Sequence, residues 1–191
     1  MGETDVHREQ IVDLIHALQV YFADNDRAYV SGDLLMFYEE GNPYKHRSPD
    51  VLVTLGIPKK LRDNYKIWEE GKAPDFIIEV TSKTTRVEDL GEKKGLYAVL
   101  GVQEYLIFDP LRDYLVPNFR AWRLEGGDYV PVVGERFNSE ALGLEFRIMT
   151  DRLRVFRPDG TMLATAFEAE QRTQQLEAEV AALRRRLEEG R

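Results

Sequence analysis

The sequence of 191 residues contains no cysteine, which excludes disulfides and thiol chemistry and leaves the redox compartment undefined. It also has no apolar run of the roughly 20 residues that a transmembrane helix needs. The first ten residues, MGETDVHREQ, lack the basic and then apolar pattern of a secretory signal. We therefore expect a cytoplasmic protein without a membrane segment.

Basic charge is also scarce. The 26 Lys and Arg residues are outnumbered by 34 Asp and Glu residues, and the formal net charge is -8. Tight, non-specific binding to nucleic acid normally needs a basic surface, so the overall balance argues mildly against it but allows a local basic groove. The length and the 43% hydrophobic content fit one globular domain with an appendage. We assign residues 1–160 to the domain and residues 161–191 to a C-terminal helix.

The segment Ala73–Pro110 predicts a strand, a helix and a second strand. Phe76–Val80 and Tyr105–Phe108 are short apolar runs bounded by turn-forming residues, and Glu88–Leu100 has apolar residues at helical spacing. Two buried strands joined through a helix form a βαβ unit, so we expect these strands to be parallel. The predicted fold class is therefore α/β.

Other elements are predicted on both sides of this unit. Thr4–Asn25 fits an amphipathic helix that Thr4 caps. Gly126-Gly127-Asp128 predicts a hairpin turn, and the strands after Pro110 form an antiparallel extension over the core. Further short strands are predicted at residues 28–30, 34–38, 50–55, 119–124, 129–133, 144–148 and 153–156.

Gly56–Lys72 is a charged segment that we interpret as an irregular loop. It contains five lysine or arginine residues together with Tyr65 and Trp68. Basic residues interleaved with aromatic residues are typical of a surface that faces nucleic acid. The alternative is a solvated loop whose aromatic side chains pack back on the core.

The C-terminal segment, from about Met162, has a heptad pattern. It contains neither glycine nor proline until Gly190, and its apolar or small residues recur at alternating steps of four and three. This spacing predicts a coiled coil that dimerises, and the pattern is strongest from Leu176 onward. A single amphipathic helix on its own domain and a frayed tail are the alternatives. The seam residues are Met162, Ala166, Ala169, Thr173, Leu176, Val180, Leu183 and Leu187.

Two acidic residues stand where apolar residues would be expected. Asp50 lies at the start of the predicted strand DVLVTL, and Glu79 lies inside FIIEV. A carboxylate in a buried strand is costly unless it is paired or binds a metal. Mg²⁺ is usually held by one or two carboxylates, with water and phosphate oxygens completing its shell. The two residues therefore form a candidate metal site, although Asp50 can also serve as a local turn residue.

Hydrolysis of a phosphodiester also needs a positive group near the developing charge. Lys83 follows the Glu79 strand, and Lys93 and Lys94 lie on the following helix. Lys93 shares a helix face with Tyr97, whereas Lys94 points about 100° away. We prefer Lys93 for this role, and the alternative is that Lys93 is an ordinary surface lysine.

At this point the residues resemble a known family. The segments PDVLV (49–53) and PDFIIEVTSKTTR followed by DLGEKKGLYAVLGVQEYLIFDP (74–110) are similar to the Uma-two family of endonucleases, in the restriction-endonuclease-like PD-(D/E)XK superfamily. The resemblance covers nearly the whole chain. It implies a mixed sheet flanked by helices, with Asp50, Glu79 and the carbonyl of Val80 as ligands of Mg²⁺ or Mn²⁺.

The sequence departs from the superfamily pattern at one catalytic position. The lysine that usually follows the second acid by two residues is replaced by Thr81. The family resemblance assigns that role to the helical Lys93, with Lys83 as the fallback. An acidic residue on the first helix often assists in this superfamily, and Glu9 is the candidate here.

The functional expectation is a Mg²⁺-dependent endonuclease that hydrolyses DNA, with Asp50, Glu79 and Lys93 as catalytic residues. The coiled coil would pair two active sites in a homodimer. The alternative is a non-catalytic module with the nuclease fold that recruits a partner through its coiled coil. RNA and branched DNA are substrates that the sequence does not separate from DNA duplexes.

Overall fold

The computed structural model describes residues 4–189 and forms a mixed α/β fold. The first half comprises α1 (Asp5–Tyr21), β1 (Ala28–Ser31), β2 (Met36–Phe37), β3 (His46–Arg47), β4 (Val51–Leu55), β5 (Tyr65–Lys66), α2 (Ile67–Glu70) and β6 (Phe76–Val80). A helical stretch follows, made of α3 (Arg86–Glu88), a π-helical turn (Asp89–Lys93) and α4 (Lys94–Leu100). The second half comprises β7 (Glu104–Phe108), β8 (Phe119–Glu125), β9 (Asp128–Val132), β10 (Arg136–Ser139), β11 (Leu144–Met149), β12 (Arg152–Phe156) and α5 (Ala166–Glu189).

A six-stranded sheet in the order β1-β4-β6-β7-β8-β9 forms the centre of the molecule. The pair β6–β7 is parallel, as the βαβ pattern predicted, and the other neighbouring pairs are antiparallel. Both β6 and β7 are buried along their whole length. Continuous apolar runs are typical of strands that are covered on both faces.

Helices and small sheets cover the two faces of this central sheet. On one face, α1 and the three-stranded sheet β10-β11-β12 pack on alternate residues of β6 such as Phe76 and Ile78. On the other face, Ile77 packs with Tyr97 of α4 and with the small sheet β3-β2-β5. Because side chains alternate along a strand, Glu79 points to the same face as Ile77, toward the helical stretch 86–100.

The structure corrects several predicted boundaries. Helix α1 ends at Tyr21 rather than Asn25, although Thr4 caps it as predicted by accepting a hydrogen bond from the backbone of His7. The predicted strand 34–38 is reduced to Met36–Phe37. Strand β10 was missed because only Phe137 and Ser139 of its four residues are buried, which leaves a weak apolar signal.

Helix α5 begins at Ala166, so the predicted seam is too long at its upstream end. Met162 lies before the helix and forms an isolated β-bridge with Phe156. The predicted end at Gly190 lies outside the described residues. Within residues 4–189, no helix combines the length and the apolar character that crossing a bilayer requires. The cytoplasmic location expected from the sequence stays a prediction.

Candidate active site

The register of the central sheet brings Asp50 and Glu79 together. Strand β4 runs antiparallel to β6 with Val51 opposite Ile78, so the next position along the pair sets Asp50 opposite Glu79. The Asp50 Oδ2 atom accepts a hydrogen bond of 2.7 Å from the backbone N–H of Val80. The two acids that the sequence singled out therefore lie at the same edge of the sheet.

The Glu79 carboxylate is buried and has a partner on each oxygen. Lys93 Nζ lies 3.0 Å from Oε2, and the Tyr97 hydroxyl donates a hydrogen bond of 2.8 Å to Oε1. Lys93 and Tyr97 thus share one helix face, as predicted. Lys94 points elsewhere and lies over the ring of Trp122, with Nζ 4.8 Å from the ring centroid.

A π-helical turn positions Lys93 between two acids. Asp89 begins this turn and Lys93 ends it, and Lys93 Nζ lies 2.8 Å from Asp89 Oδ1. Such turns inside α-helices are frequent at functional sites. Thr81, which replaces the usual lysine of the superfamily, donates a hydrogen bond of 2.8 Å to Asp89 Oδ2. Thr81 therefore orients the helical acid that pairs with Lys93.

His7 is a site residue that the sequence reasoning did not identify. Its side chain is 6% exposed, and its Nε2 atom is in close contact with the Val80 carbonyl oxygen and 3.9 Å from Asp50 Oδ2. His7 lies on the face of α1 that also carries the buried Ile11 and Leu14. His7 lies in the first turn of α1, and only the fold shows that this end of the helix meets the edge of the sheet.

The electrostatics of the site are dominated by buried carboxylates. Burial raises the pKa of Glu79, and the nearby negative charge of Asp50 raises it further, while Lys93 acts in the opposite direction. Burial by itself lowers the pKa of Lys93, but the carboxylates of Glu79 and Asp89 outweigh it and raise that pKa. Lys93 is therefore a permanent cation at neutral pH, held between these two carboxylates.

A cavity of about 250 Å³ opens next to this cluster. His7, Asp50 and Lys93 line it together with the polar loop 81–85 and Tyr114, and Glu79 reaches it through its ion pair with Lys93 rather than by lining it. The exposed Lys83 also lines this cavity, so both candidate lysines border the same space.

Glu9 is not brought to the cluster, because its side chain pairs with Arg152 at 2.6 Å. The expectation that Glu9 assists at the site is therefore not supported by its position. His7 is the residue of α1 that reaches the cluster instead.

The segment 56–72 supports the second of its two interpretations at Tyr65, while Lys59 and Lys60 are exposed. Tyr65 is fully buried, and its hydroxyl donates a hydrogen bond of 2.9 Å to the Lys72 carbonyl. Arg62 forms two hydrogen bonds of 2.7 Å with Glu70, and Lys72 pairs with Asp75. The segment is also less irregular than predicted, since it contains β5 and α2. The interpretation of a loop anchored by burial is therefore correct for Tyr65.

The residues present fit a hard divalent cation. Asp50, Glu79 and the Val80 carbonyl supply oxygen donors, and His7 supplies an imidazole nitrogen beside them. Mutual repulsion between Asp50 and Glu79 is a cost that a cation would relieve. Among residues 4–189, no group of three or more His, Cys, Asp or Glu side chains is arranged to hold a metal. A site built on two carboxylates suits Mg²⁺, which usually keeps several waters and substrate oxygens.

Gly32 supports the backbone of Asp50, and its replacement is expected to disturb the site. A Cβ atom at Gly32 would collide with the Asp50 carbonyl oxygen and would lie 2.6 Å from Ile15 Cδ1. We expect Gly32→Ala to cost about 1–3 kcal/mol of unfolding free energy, because overpacking forces the backbone to move. Thermal unfolding measures this change. Gly95→Ala is the matched control, since a Cβ at Gly95 meets nothing within 4 Å, and it should leave stability unchanged or raise it.

A solved structure described as "a putative nuclease belonging to DUF820", from Anabaena variabilis, is similar to this chain. The two are 14% identical, the match covers 71% of each chain, and the TM-score is 0.52. At this identity the likeness shows the fold alone, and with the mixed sheet and its flanking helices it confirms the predicted restriction-endonuclease-like α/β class. No curated protein matches the chain.

The family is shown by sequence. A family model described as "Putative restriction endonuclease" matches residues 1–188. The chain belongs to this family, Uma2, as the resemblance of its motifs implied.

Proposed function

We propose that this chain is a Mg²⁺-dependent endonuclease that hydrolyses DNA phosphodiester bonds at the cluster of Asp50, Glu79 and Lys93. The observation that carries the proposal is the pair Asp50 and Glu79, which face one another across β4 and β6, with a lysine that pairs with Glu79 and lines the cavity. Carboxylates held next to one another in a sheet oppose folding, so their pairing, with Asp50 at the cavity, favours a functional role. Membership of the Uma2 family supports the same chemistry.

Each residue of the cluster has a distinct role in this proposal. Asp50, Glu79 and the Val80 carbonyl would hold Mg²⁺, or Mn²⁺ in its place. The bound ion supplies Lewis-acid polarisation of the phosphate and a more acidic water nearby. Lys93 is cationic and borders the cavity, so it can stabilise the negative charge that develops on the phosphate. Asp89 and Tyr97 fix the positions of Lys93 and Glu79 by direct contacts.

The test of this function is cleavage by the purified chain. Supercoiled plasmid, single-stranded DNA, branched DNA and RNA should each be incubated with the wild type in Mg²⁺, in Mn²⁺ and in EDTA. We expect nicking and linearisation of the plasmid that requires a divalent ion and stops with EDTA. Cleavage of RNA alone, or of branched DNA alone, would make that nucleic acid the substrate in place of duplex DNA. If none of the four nucleic acids is cleaved, the proposed nuclease activity is contradicted.

A non-catalytic module is the second candidate, and one observation favours it. Lys93 Nζ lies 3.0 Å from Glu79 and 2.8 Å from Asp89, so the lysine is engaged in ion pairs within the fold. A structural role would account for that arrangement without any substrate. Metal titration separates the two functions, because a module without catalysis has no reason to bind Mg²⁺ through Asp50.

His7 provides a prediction about the metal site. Replacing His7 with alanine is expected to weaken Mn²⁺ binding by roughly 10–100-fold, the usual cost of losing a group that holds a metal ligand in place. The physical reason is its direct contact with the Val80 carbonyl and its position beside Asp50. Isothermal titration calorimetry measures the affinity. His16→Ala, further along the same helix, is the matched control, and equal losses in both variants would contradict a specific role for His7.

A further inference from the structure

Helix α5 is anchored to the domain at its start. Thr165 and Glu168 form a reciprocal cap, in which the Glu168 N–H donates to the Thr165 hydroxyl at 3.2 Å and the Thr165 N–H donates to Glu168 Oε2 at 2.8 Å. Arg154 also pairs with Glu168, at 2.5 Å. From residue 170 to residue 189 every side chain is exposed. The helix therefore leaves the domain with its direction set by these contacts.

An apolar stripe runs along the exposed part of α5. Leu176 and Val180 are each 45% exposed, Leu183 is 51% exposed and Leu187 is 73% exposed. These residues recur at steps of four, three and four, which places them at the a and d positions of a heptad. Ala166 and Ala169, the upstream seam residues, are half-buried in the described structure, so the free seam starts at Thr173.

We infer that this stripe binds the same stripe of a second copy of the chain, in a parallel, two-stranded coiled coil. The a positions hold Thr173, Val180 and Leu187, of which the first two are β-branched, and the d positions hold Leu176 and Leu183. β-Branched residues at a with leucine at d favour parallel dimers.

The charges that flank the seam identify the second copy as the occupant. In a parallel pair, a g position faces the e position of the next heptad on the other helix. Arg172 at g then faces Glu177 of the second copy, and Glu179 at g faces Arg184 of the second copy. Both contacts are attractive, and the symmetry of the dimer forms each of them twice. A chain of this sequence is thus complementary to itself.

The flanking charges alone do not select the orientation. In the antiparallel register that overlaps the whole stripe, Leu176 pairs with Leu187 of the second copy, and Glu177 and Glu179 lie next to Arg184 and Arg186 of the second copy. The parallel orientation rests instead on the β-branched residues at two a positions with leucine at d. The parallel orientation places both domains at the same end of the coiled coil, which suits the action of two sites on one nucleic-acid molecule.

Complementary charge variants of the full chain test the register. Arg172→Glu with Arg184→Glu makes both of these contacts acidic, and Glu177→Arg with Glu179→Arg makes both of them basic. We expect each double variant alone to dimerise at least about tenfold more weakly in sedimentation equilibrium, and an equal mixture to form a heterodimer of wild-type affinity. Arg185→Glu, on the outer face of the helix, is the control and should dimerise like the wild type.

Orientation is tested by a single introduced thiol, which the absence of cysteine makes specific. Thr173→Cys lies at an a position and should form a covalent dimer under mild oxidation, whereas the neighbouring Gln174→Cys should not. A monomeric wild type at every concentration tested, a dimer insensitive to the charge variants, or equal crosslinking by the two cysteines would each overturn the inference. These measurements need no nuclease activity, so their outcome is independent of the proposed function.

Discussion

Glu79→Gln is expected to abolish nicking of supercoiled plasmid while making the protein more stable. The carboxylate is a proposed metal ligand, and its contribution of several kcal/mol corresponds to a loss of about a thousandfold or more in rate. Glutamine keeps one acceptor oxygen, for Lys93 or Tyr97, and removes a buried charge that lies near Asp50. The expected result therefore combines lost cleavage with a raised melting temperature.

The stability gain should depend on pH in a definite direction. The pKa of Glu79 is raised above 4.5 in the folded protein by burial and by Asp50. Below pH 4.5 the Glu79 carboxyl group is protonated in both the folded and the unfolded chain, so its ionisation does not lower the free energy of unfolding. As the pH rises further, the Glu79 carboxyl group ionises first in the unfolded chain. Because this ionisation favours the unfolded state, the wild type loses stability. Thermal unfolding in EDTA should thus show a Glu79→Gln advantage in stability that grows with pH until the folded protein also ionises.

A matched control separates the site from burial in general. Glu104 lies on the neighbouring strand β7, and its side chain is as deeply buried as that of Glu79, but it pairs with Arg123 and binds the backbone of Glu140. Glu104→Gln should retain plasmid cleavage in Mg²⁺ and Mn²⁺. Cleavage that survives in Glu79→Gln would contradict the placement of the active site.

Lys93→Met is expected to lose both cleavage and stability. Lys93 is the ion-pair partner of two carboxylates that are each 1% exposed, so its removal leaves buried charge without compensation. Breaking a buried pair from one side typically costs about 3–5 kcal/mol. For a chain of this length, each kcal/mol corresponds to roughly 2–4 °C in melting temperature. Thermal unfolding and plasmid cleavage measure the two effects.

The other two lysines serve as controls for this variant. Lys94→Met changes the neighbouring helical residue, whose ammonium lies over Trp122 outside the cluster. Lys83→Met changes the exposed lysine that borders the same cavity. Both should keep cleavage, and Lys83→Met should change stability by less than about 0.5 kcal/mol. If Lys83→Met loses cleavage while Lys93→Met keeps it, the fallback assignment is the correct one.

The sequence predicted the centre of the fold well because its signals there are local. Phe76–Val80 is a continuous apolar run with clear boundaries, and the structure has a strand with the same bounds. The pattern of strand, helix and strand then determined the parallel pairing with β7. Asp50 and Glu79 stood out because a carboxylate in an apolar strand is costly, and the sheet register brings them to one edge.

The features that the sequence missed depend on contacts between distant parts of the chain. His7 meets the Val80 carbonyl across a separation of 73 residues, and nothing in the neighbouring sequence marks that contact. Tyr65 appeared suited to nucleic acid because its neighbours are basic, but it is buried against Tyr29, with ring centroids 6.2 Å apart. The coiled-coil seam was extended too far because alanine spacing alone does not show that Ala166 and Ala169 are half-buried in the chain itself.

The most direct measurement of the central claim is calorimetric titration of Mg²⁺ into the wild type and Asp50→Asn. Asparagine keeps an oxygen that can accept the Val80 N–H but removes the negative charge, so the fold should be retained. We expect the wild type to bind Mg²⁺ and the variant to lose at least about tenfold in affinity, the scale of 1.4 kcal/mol. Equal affinities in the two proteins, or no binding by the wild type, would contradict a metal site at Asp50 and Glu79.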